Sequence, residues 1–403
     1  MPARPITKPK SVGAVTRAVA ALAIAPTAPP NSRSCHSAGV AFARIASLTC
    51  YRDIASMWPN TGSCQDACLR KGLEVVDGGS LVSSRPMPLD PLYIVLELGA
   101  ATFFVWAAIA ALRRGRLPFL ELLSAAAFGI LLEEGDQLIF ETYHYSPHFL
   151  LTIDRAPIVI GLTWALIIAG AMRITDALGV RRRYAPFVDA ILAISLDLAF
   201  DAIAIRVGLW TWRGIGPSQG WFGVPAGNFN AWLWVTLAFS LMSRWVRDTA
   251  PGRPVREWLQ LLVPIPAYVI LLVGMMPFAY LRPVVDPAPG GGLWLFGVSL
   301  AIFAVLAAYG VWSPDRAPAN GERMAMLDLR VASTSRIAIH CFFLTALIVL
   351  GLVPQVPMLL VVALLLLGAE LPLARLVRAR REATAFGASR AMRTGSLANQ
   401  GTG

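Results

Sequence analysis

Two aspartates, Asp197 and Asp201, stand four residues apart in an apolar stretch that also carries Asp189 and reads DAILAISLDLAFDAIAI. A spacing of four residues puts both side chains on the same face of a helix, one turn apart. Two carboxylates this close repel each other, so one of the two is kept protonated near neutral pH. A protonated carboxyl beside a carboxylate is suited to general acid and base catalysis. The pair is therefore our first candidate for catalytic residues.

The same two aspartates also have a structural interpretation. A carboxylate near the centre of a bilayer costs at least ~2.5–3.5 kcal/mol, so it normally faces protein or a water pocket and has a partner. Arg155 or Arg206 would be the natural counter-charge in such an ion-pair network. The sequence leaves the structural and the catalytic interpretation open.

Tryptophan is concentrated in the connector that follows the second aspartate, in the motifs GLWTW and GWFGVPAGNFNAW. Aromatic residues at a helix end commonly form an interfacial belt. Next to an acid, their π faces can also stabilise a carbocation, by about 0.5–2 kcal/mol each. Asn228 is predicted either to cap the next helix, which is the favoured role, or to orient a water molecule. The predicted substrate-binding residues of this connector are Trp210, Trp212, Trp221, Phe222 and Asn228.

A second polar segment, EEGDQLIFETYHYSPH, covers residues 133–148. Its Glu141 and His144 have the ExxH spacing that puts two metal ligands on one face of a helix, and His148 would add a third. Three interpretations stay open: a solvated acidic loop with interfacial tyrosines, a carboxyl acid or base, or a metal site. The prediction carried forward takes Glu134 as an acid or base and contains no metal and no cofactor.

The composition is that of a polytopic membrane protein, since 56% of the 403 residues are hydrophobic and only 15% are charged. The net charge of +11 could suggest nucleic acid, but the basic residues fall in connectors between apolar runs, which argues against that partner. Four histidines are too few for the histidine-rich boxes of membrane di-iron desaturases and hydroxylases. The predicted partners are the lipid bilayer and a hydrophobic substrate.

Apolar runs of the length that crosses a bilayer, about 20 residues, follow one another from residue 91 onwards. They predict an all-α fold, a polytopic transmembrane bundle of about eight to nine helices with a poorly ordered N-terminal extension. The last two runs are predicted to form one hairpin or two separate helices. The runs cover residues 91–112, 118–138, 156–175, 186–207, 229–246, 258–281, 292–312, 337–353 and 357–375.

Arginines are abundant in every second connector, for example at 181–183, and sparse in the others. By the positive-inside rule the arginine-rich connectors are cytoplasmic, and so is the C-terminus of an integral protein of, we expect, the bacterial inner membrane. The chemically loaded connectors 133–155 and 208–228 then lie together on the opposite side. We expect their side chains to meet.

Three domains are predicted: an extension at 1–88 that is disordered or wrongly assigned to the chain, a transmembrane domain at 89–376 and a basic cytoplasmic tail at 377–403. Met87 would be an alternative start just before the first apolar run. Four of the five cysteines fall in the extension, where CQDAC has a metal-compatible spacing without a second close pair. A disulfide or structural metal there is only a weak expectation. These cysteines are Cys35, Cys50, Cys64 and Cys68.

The run APIVIGLTW, the spaced aspartates, the W-x-W and the WFGVP and NFNAW motifs resemble the integral-membrane carotenoid biosynthesis protein family. The resemblance covers about 130–245, and FETYHYSPH departs from the Gly- and Phe-rich stretch that the family tends to have there. It implies functional roles for matching positions: Glu134, Gly135, Pro157, Trp164, Asp197, Asp201, Trp210, Trp212, Pro225, Asn228 and Trp232.

Characterised members of that family include hydratases that add water to the terminal double bond of an acyclic carotenoid. The resemblance therefore implies a hydro-lyase in which Asp201 or Glu134 protonates the double bond and Asp197 activates water. The resulting cation would be held by tryptophans, and the substrate site completed by Trp164, Tyr143 and Tyr145.

Two other classes of function remain as alternatives. The first is a non-enzymatic carrier or lipid-binding protein that uses the Asp197 and Asp201 pair as a proton or ion site, although no convincing inverted repeat accompanies it. The second is a metal-dependent lipid enzyme that uses Glu141, His144 and His148.

Overall fold

The computed structural model describes residues 90–216, 219–250, 253–285, 290–313 and 326–400. Within these residues the chain forms nine helices of 20 residues or more, which confirms the all-α prediction. The predicted N-terminal extension and its cysteines lie outside the described residues. The helices are α1 (Pro91–Arg114), α2 (Arg116–Gly135), α3 (Ile158–Ala177), α4 (Ala185–Ala204), α5 (Ala226–Thr249), α6 (Pro264–Val285), α7 (Leu293–Trp312), α8 (Met326–Val349) and α9 (Pro357–Gln400).

Six of these helices, α1, α3, α6, α7, α8 and α9, are long and apolar enough to cross a membrane, as expected of an integral membrane protein. The other three carry buried charged side chains. Two boundaries differ clearly from the apolar runs. Helix α8 begins at Met326, before the predicted 337. Its first turns are polar, so a prediction from apolar runs did not include them. Helix α9 continues to Gln400, beyond the predicted 375. Alanine and arginine after residue 376 favour that continued helix.

Five helices pack in a ring: α2 on α3, α3 on α4, α4 on α5, α5 on α6, and α6 back on α2. Outside the ring, α1 and α8 pack against α3, and α7 and α9 pack against α4. Between α5 and α6 the chain makes a short helix at Pro254–Glu257 and a 3-10 helix at Trp258–Leu262. The ring is the frame that holds the polar residues of the interior.

A close contact between α2 and α3 depends on glycine. A Cβ atom at Gly129 would lie 2.7 Å from the Cβ of Trp164 and 3.0 Å from the Cα of Gly161. Neither distance leaves room for a side chain, so the two backbones meet where both helices carry glycine. This contact brings the indole of Trp164 beside the last turn of α2, where Glu133 lies.

The two connectors that carry the candidate site residues, 133–155 and 208–228, meet through a pair of short strands. Strand β1 (Tyr143–Tyr145) pairs antiparallel with β4 (Trp210–Trp212), and β2 (Thr152–Ile153) pairs with β3 (Ala156–Pro157). Side chains alternate along a strand, so Tyr143 and Tyr145 share the inner face of β1 and His144 is on the exposed outer face. The helical arrangement that the ExxH spacing predicted for this segment is therefore wrong.

A buried ionic cluster fixes the other end of the ring. The carboxylate of Glu121 accepts hydrogen bonds from Arg173 at 2.6 Å and from Arg247 at 2.5 Å. Beside it, the guanidinium of Arg244 lies 2.9 Å from Asp189 and also pairs with Asp176. Asp189, the first of the three aspartates of α4, thus belongs to a structural ion-pair network that joins α2, α3, α4 and α5.

Replacing Glu121 with Gln should destabilise the bundle strongly. The substitution leaves two buried guanidinium groups facing a neutral amide, and breaking a buried ion pair from one side typically costs about 3–5 kcal/mol. The measurement is thermal unfolding of the purified protein in detergent. Glu257→Gln is the matched control, since Glu257 pairs with Arg116 at the surface at 2.7 Å and such pairs contribute about 0–1 kcal/mol. Equal melting temperatures for the two variants would contradict the structural role.

Candidate active site

A cavity of about 890 Å³ lies inside the ring of α2 to α6 and extends towards α1 and α8. This volume is near the upper end of typical ligand sites, which span about 300–1,000 Å³. The polar side chains that reach it include Glu133, Asp136, Asp201 and Asn228. Most of the remaining lining is apolar or aromatic, so the cavity suits a large hydrophobic ligand with a few polar contacts.

Glu133, in the last turn of α2, is the most heavily hydrogen-bonded acid of the cavity. Its Oε2 accepts from the hydroxyl of Tyr145 at 2.6 Å and from the hydroxyl of Tyr143, and its Oε1 accepts from the indole N–H of Trp164 at 2.7 Å. The side chain is buried, with 4% of its surface exposed. Three donors directed at one group suit a carboxylate, which only accepts hydrogen bonds.

The aspartate pair of α4 is joined through one amide. Asn228 donates from Nδ2 to Asp201 at 2.5 Å and to Asp197 at 3.2 Å. Asp197 is 0% and Asp201 is 3% exposed. The favoured sequence prediction, that Asn228 caps α5, is wrong: Pro225 occupies the cap position and the amide binds α4 instead. Asn228 is therefore a residue of the site.

The arginines proposed as counter-charges bind backbone carbonyls. Arg206 donates to the carbonyl of Ala202 at 2.6 Å and to that of Phe222 at 2.7 Å. Arg155 donates to the carbonyl of Gln137 at 2.9 Å. In the part of the chain that the structure describes, the hydrogen bonds of the aspartate pair come from Asn228 and no basic side chain forms an ion pair with it. Two buried carboxyls without a cation are more stable together when one carries a proton.

Asp136 lies just beyond α2, in the π-helix Asp136–Phe140 that follows it, and also lines the cavity. Burial raises the pKa of its carboxyl to about 7, although the Thr142 hydroxyl, 2.6 Å away, donates to it and acts in the opposite direction. Burial, and next the Glu133 carboxylate, hold the pKa of the Tyr143 and Tyr145 hydroxyls well above the usual range. Both tyrosines are therefore permanent donors to Glu133.

The aromatic residues form the walls around these acids. The ring centroid of Trp212 lies 4.7 Å from that of Tyr143, and that of Trp210 lies 5.9 Å from that of Tyr145. These contacts follow from the register of β1 and β4, in which each tyrosine faces a tryptophan. The pairing of the strands thus places two indoles beside the tyrosines that bind Glu133.

Most of the residues predicted for the site line one cavity. Glu134 does not line it: its Oε1 accepts from the backbone N–H groups of Arg155 at 2.9 Å and Ala156 at 2.6 Å. Asp197 lies behind Asn228, outside the lining, and Trp221 and Phe222 pack on each other away from it. The predicted residues in the lining are Asp201, Asn228, Trp164, Trp210, Trp212, Tyr143 and Tyr145.

Sequence reasoning missed Glu133 as a site residue, and helical register could have identified it. Glu133 follows Gly129 by four residues, so both lie on the face of α2 that meets α3. Glu134 is turned by a further 100° and points elsewhere. Asp136 was missed as well, whereas Trp232, whose ring centroid lies 4.1 Å from that of Trp164, was among the positions that the resemblance implied.

The alternative metal ligands lie apart from the cavity acids. Glu141 pairs with Arg213 at 2.6 Å near the surface, and the ring of His148 lies 5.5 Å from that of Tyr93. Among the residues that the structure describes, no group of three His, Cys, Asp or Glu side chains is arranged to hold a metal ion.

Comparison with known proteins identifies one family. Residues 90–290 match the family model described as Carotenoid biosynthesis protein, a longer stretch than the 130–245 of the sequence resemblance. No curated protein and no solved structure matches the chain. Helices α7, α8 and α9 lie outside the matched residues.

Proposed function

The chain belongs, through residues 90–290, to the carotenoid biosynthesis protein family, and from this premise we propose that it hydrates the terminal double bond of an acyclic carotenoid or a similar isoprenoid lipid. The observation that carries the proposal is the position of Asp201. This buried acid reaches an apolar, aromatic cavity and forms its hydrogen bond with a neutral amide. Such an acid can give a proton to a hydrocarbon that is bound in the cavity.

The first step is transfer of a proton from Asp201 to the less substituted carbon of a terminal trisubstituted double bond. The two π electrons form the new C–H bond, and the positive charge is left on the tertiary carbon. Asp201 becomes a carboxylate, and the amide of Asn228, 2.5 Å away, continues to donate to it. That hydrogen bond favours the charged form and so favours the step.

The walls of the cavity stabilise the cation. Trp210 and Trp212 present indole rings to the cavity, each able to contribute about 0.5–2 kcal/mol. Glu133 accepts three hydrogen bonds that fix its position before the reaction, and these bonds favour its carboxylate form. In that form it is an oriented counter-charge for the positive charge that develops on the substrate.

Water then adds to the tertiary carbon through its oxygen, and its surplus proton passes to the carboxylate of Asp201. The pair of Asp197 and Asp201 is thereby restored to its starting protonation, with Asp197 as the second acceptor behind Asn228. One C–H and one C–O bond form, and the π bond and one O–H bond of water are broken. The reaction consumes only the polyene and water.

Expression in a bacterial host that makes acyclic carotenoids tests the proposal. We expect new pigments whose mass exceeds that of the parent carotenoid by one water, and none in the host without the gene. Incubation in labelled water should carry the label into the product. Unchanged pigments in membranes that contain the folded protein would contradict hydration, and proton-coupled uptake into liposomes without a product would favour the carrier.

A further inference from the structure

The cavity continues beyond the acids into an arm between α1 and α8. The residues that line this arm repeat at helical spacing on both helices, so one face of each is turned towards it. The α1 side of the arm lies within the family match, which covers residues 90–290. The α8 side lies outside it, because α8 begins at Met326. We call this part of the cavity the α1–α8 arm, and define it by Val95, Gly99 and Phe103 of α1 and Ser335, Ile339 and Phe342 of α8.

The α1–α8 arm is apolar, in contrast to the acid end of the cavity. The polar group among its defining residues, the hydroxyl of Ser335, donates to the carbonyl of Ala332 at 3.1 Å within its own helix. The acids that line the cavity, Glu133, Asp136 and Asp201, come from α2, from the residue that follows it and from α4. An occupant of the arm would therefore make hydrophobic contacts rather than hydrogen bonds.

A continuous row of aromatic rings joins the arm to the acid end. Phe343 of α8 stacks on Phe200 of α4 with centroids 5.0 Å apart. Phe200 contacts the edge of Trp232 at 5.3 Å, and Trp232 packs against Trp164 at 4.1 Å. Trp164 in turn donates to Glu133. A conjugated chain lying along this row would contact aromatic rings between the arm and the acid end.

The α1–α8 arm also adjoins the lipid-facing surface. Most of the apolar stretch of α1 is not buried by the rest of the protein, since 11% of its residues are buried. Val95, which lines the arm, is 59% exposed. A hydrocarbon dissolved in the bilayer could pass from the lipid into the arm without crossing a polar surface. The arm is thus placed to serve as both the access route and the resting place of an apolar chain.

We propose that the α1–α8 arm binds the unreactive, extended hydrocarbon part of a linear isoprenoid substrate, so that its terminal group lies at Asp201 and Glu133. The assignment of the reacting end rests on the proposed function. The binding of an apolar chain in the arm does not, because it depends on shape and hydrophobic contact alone.

Gly99→Phe tests the proposal by filling the arm. A Cβ atom added at Gly99 meets no atom within 4 Å, so a side chain can begin there without a backbone clash and extend from the wall of the arm. The measurement is the binding of a purified acyclic carotene to the detergent-solubilised protein, detected by the quenching of tryptophan fluorescence. We expect Gly99→Phe to weaken binding by about tenfold or more, which corresponds to ~1.4 kcal/mol or more.

Gly297→Phe on α7 is the matched control, since a Cβ there also meets nothing within 4 Å and Gly297 does not line the cavity. It should leave binding unchanged, and all variants should melt with the wild type. The proposed role of the arm would be rejected if Gly99→Phe bound carotene as the wild type does, or if both phenylalanine variants lost the same affinity. If Gly99→Phe weakens binding but the wild-type protein forms no hydrated product, the arm is supported and hydration is rejected. If the protein forms the hydrated product but Gly99→Phe binds carotene as well as the wild type does, hydration is supported and the arm is rejected.

Discussion

Asp201→Asn should abolish formation of the hydrated product while the protein still inserts and folds. The amide has the size of the acid and can still accept the hydrogen bond from Asn228, but it cannot deliver a proton to a double bond. Loss of a general acid typically lowers a rate by about 10²–10⁴-fold. The measurement is product formed per amount of inserted protein in a host that makes acyclic carotenoids, together with the melting temperature in detergent.

Asp154→Asn is the matched control for this prediction. Asp154 is exposed, in the turn between β2 and β3, and its φ of 49° is a conformation that asparagine adopts readily. Full activity is expected of that variant. Wild-type turnover by a correctly inserted Asp201→Asn protein would exclude this residue as the acid, and the proposed mechanism with it.

The helices could be placed from the sequence because the predicted runs have about the length that crosses a bilayer, although only six of the nine described helices are also apolar enough to do so. The exception, the start of α8, shows where that argument fails. Arg336 lies between the predicted runs 292–312 and 337–353 and so belonged to a connector predicted to be cytoplasmic, yet only 2% of it is exposed. Its guanidinium binds Glu370 at 2.6 Å and the carbonyl of Leu192 at 2.7 Å. A hydropathy window cannot distinguish such an internal ion pair from a helix end.

The composition of the site could be predicted, but its connectivity could not. Acids and tryptophans in connectors on the same side of the membrane were expected to meet, and the pairing of β1 with β4 brings them together. Which of two adjacent glutamates faces the cavity depends on the rotation of α2, which the glycine contact with α3 sets. The hydrogen-bond partners of Asn228 depend on how α4 and α5 pack. The sequence pattern within either helix does not indicate which of their side chains meet.

Glu133→Gln should lower both product formation and stability, because the substitution removes a charge and leaves donors without an acceptor. The carboxylate serves Tyr143, Tyr145 and Trp164, whereas an amide offers one acceptor oxygen and adds an N–H₂ group that faces other donors. Each buried donor left unsatisfied costs about 1–3 kcal/mol. Loss of a fixed electrostatic contact to the transition state typically lowers a rate by about 10²–10³-fold.

Glu134→Gln is the informative comparison, since it changes the same group one residue away. Glu134 uses Oε1 to accept from the N–H groups of Arg155 and Ala156, and the amide oxygen of glutamine can accept both. We therefore expect near wild-type product and melting temperature for Glu134→Gln and a large loss of both for Glu133→Gln, assayed side by side in the same host and detergent. The reverse pattern would return the catalytic role to Glu134 and would mean that the substrate approaches the acids from the β2–β3 turn rather than through the aromatic cavity.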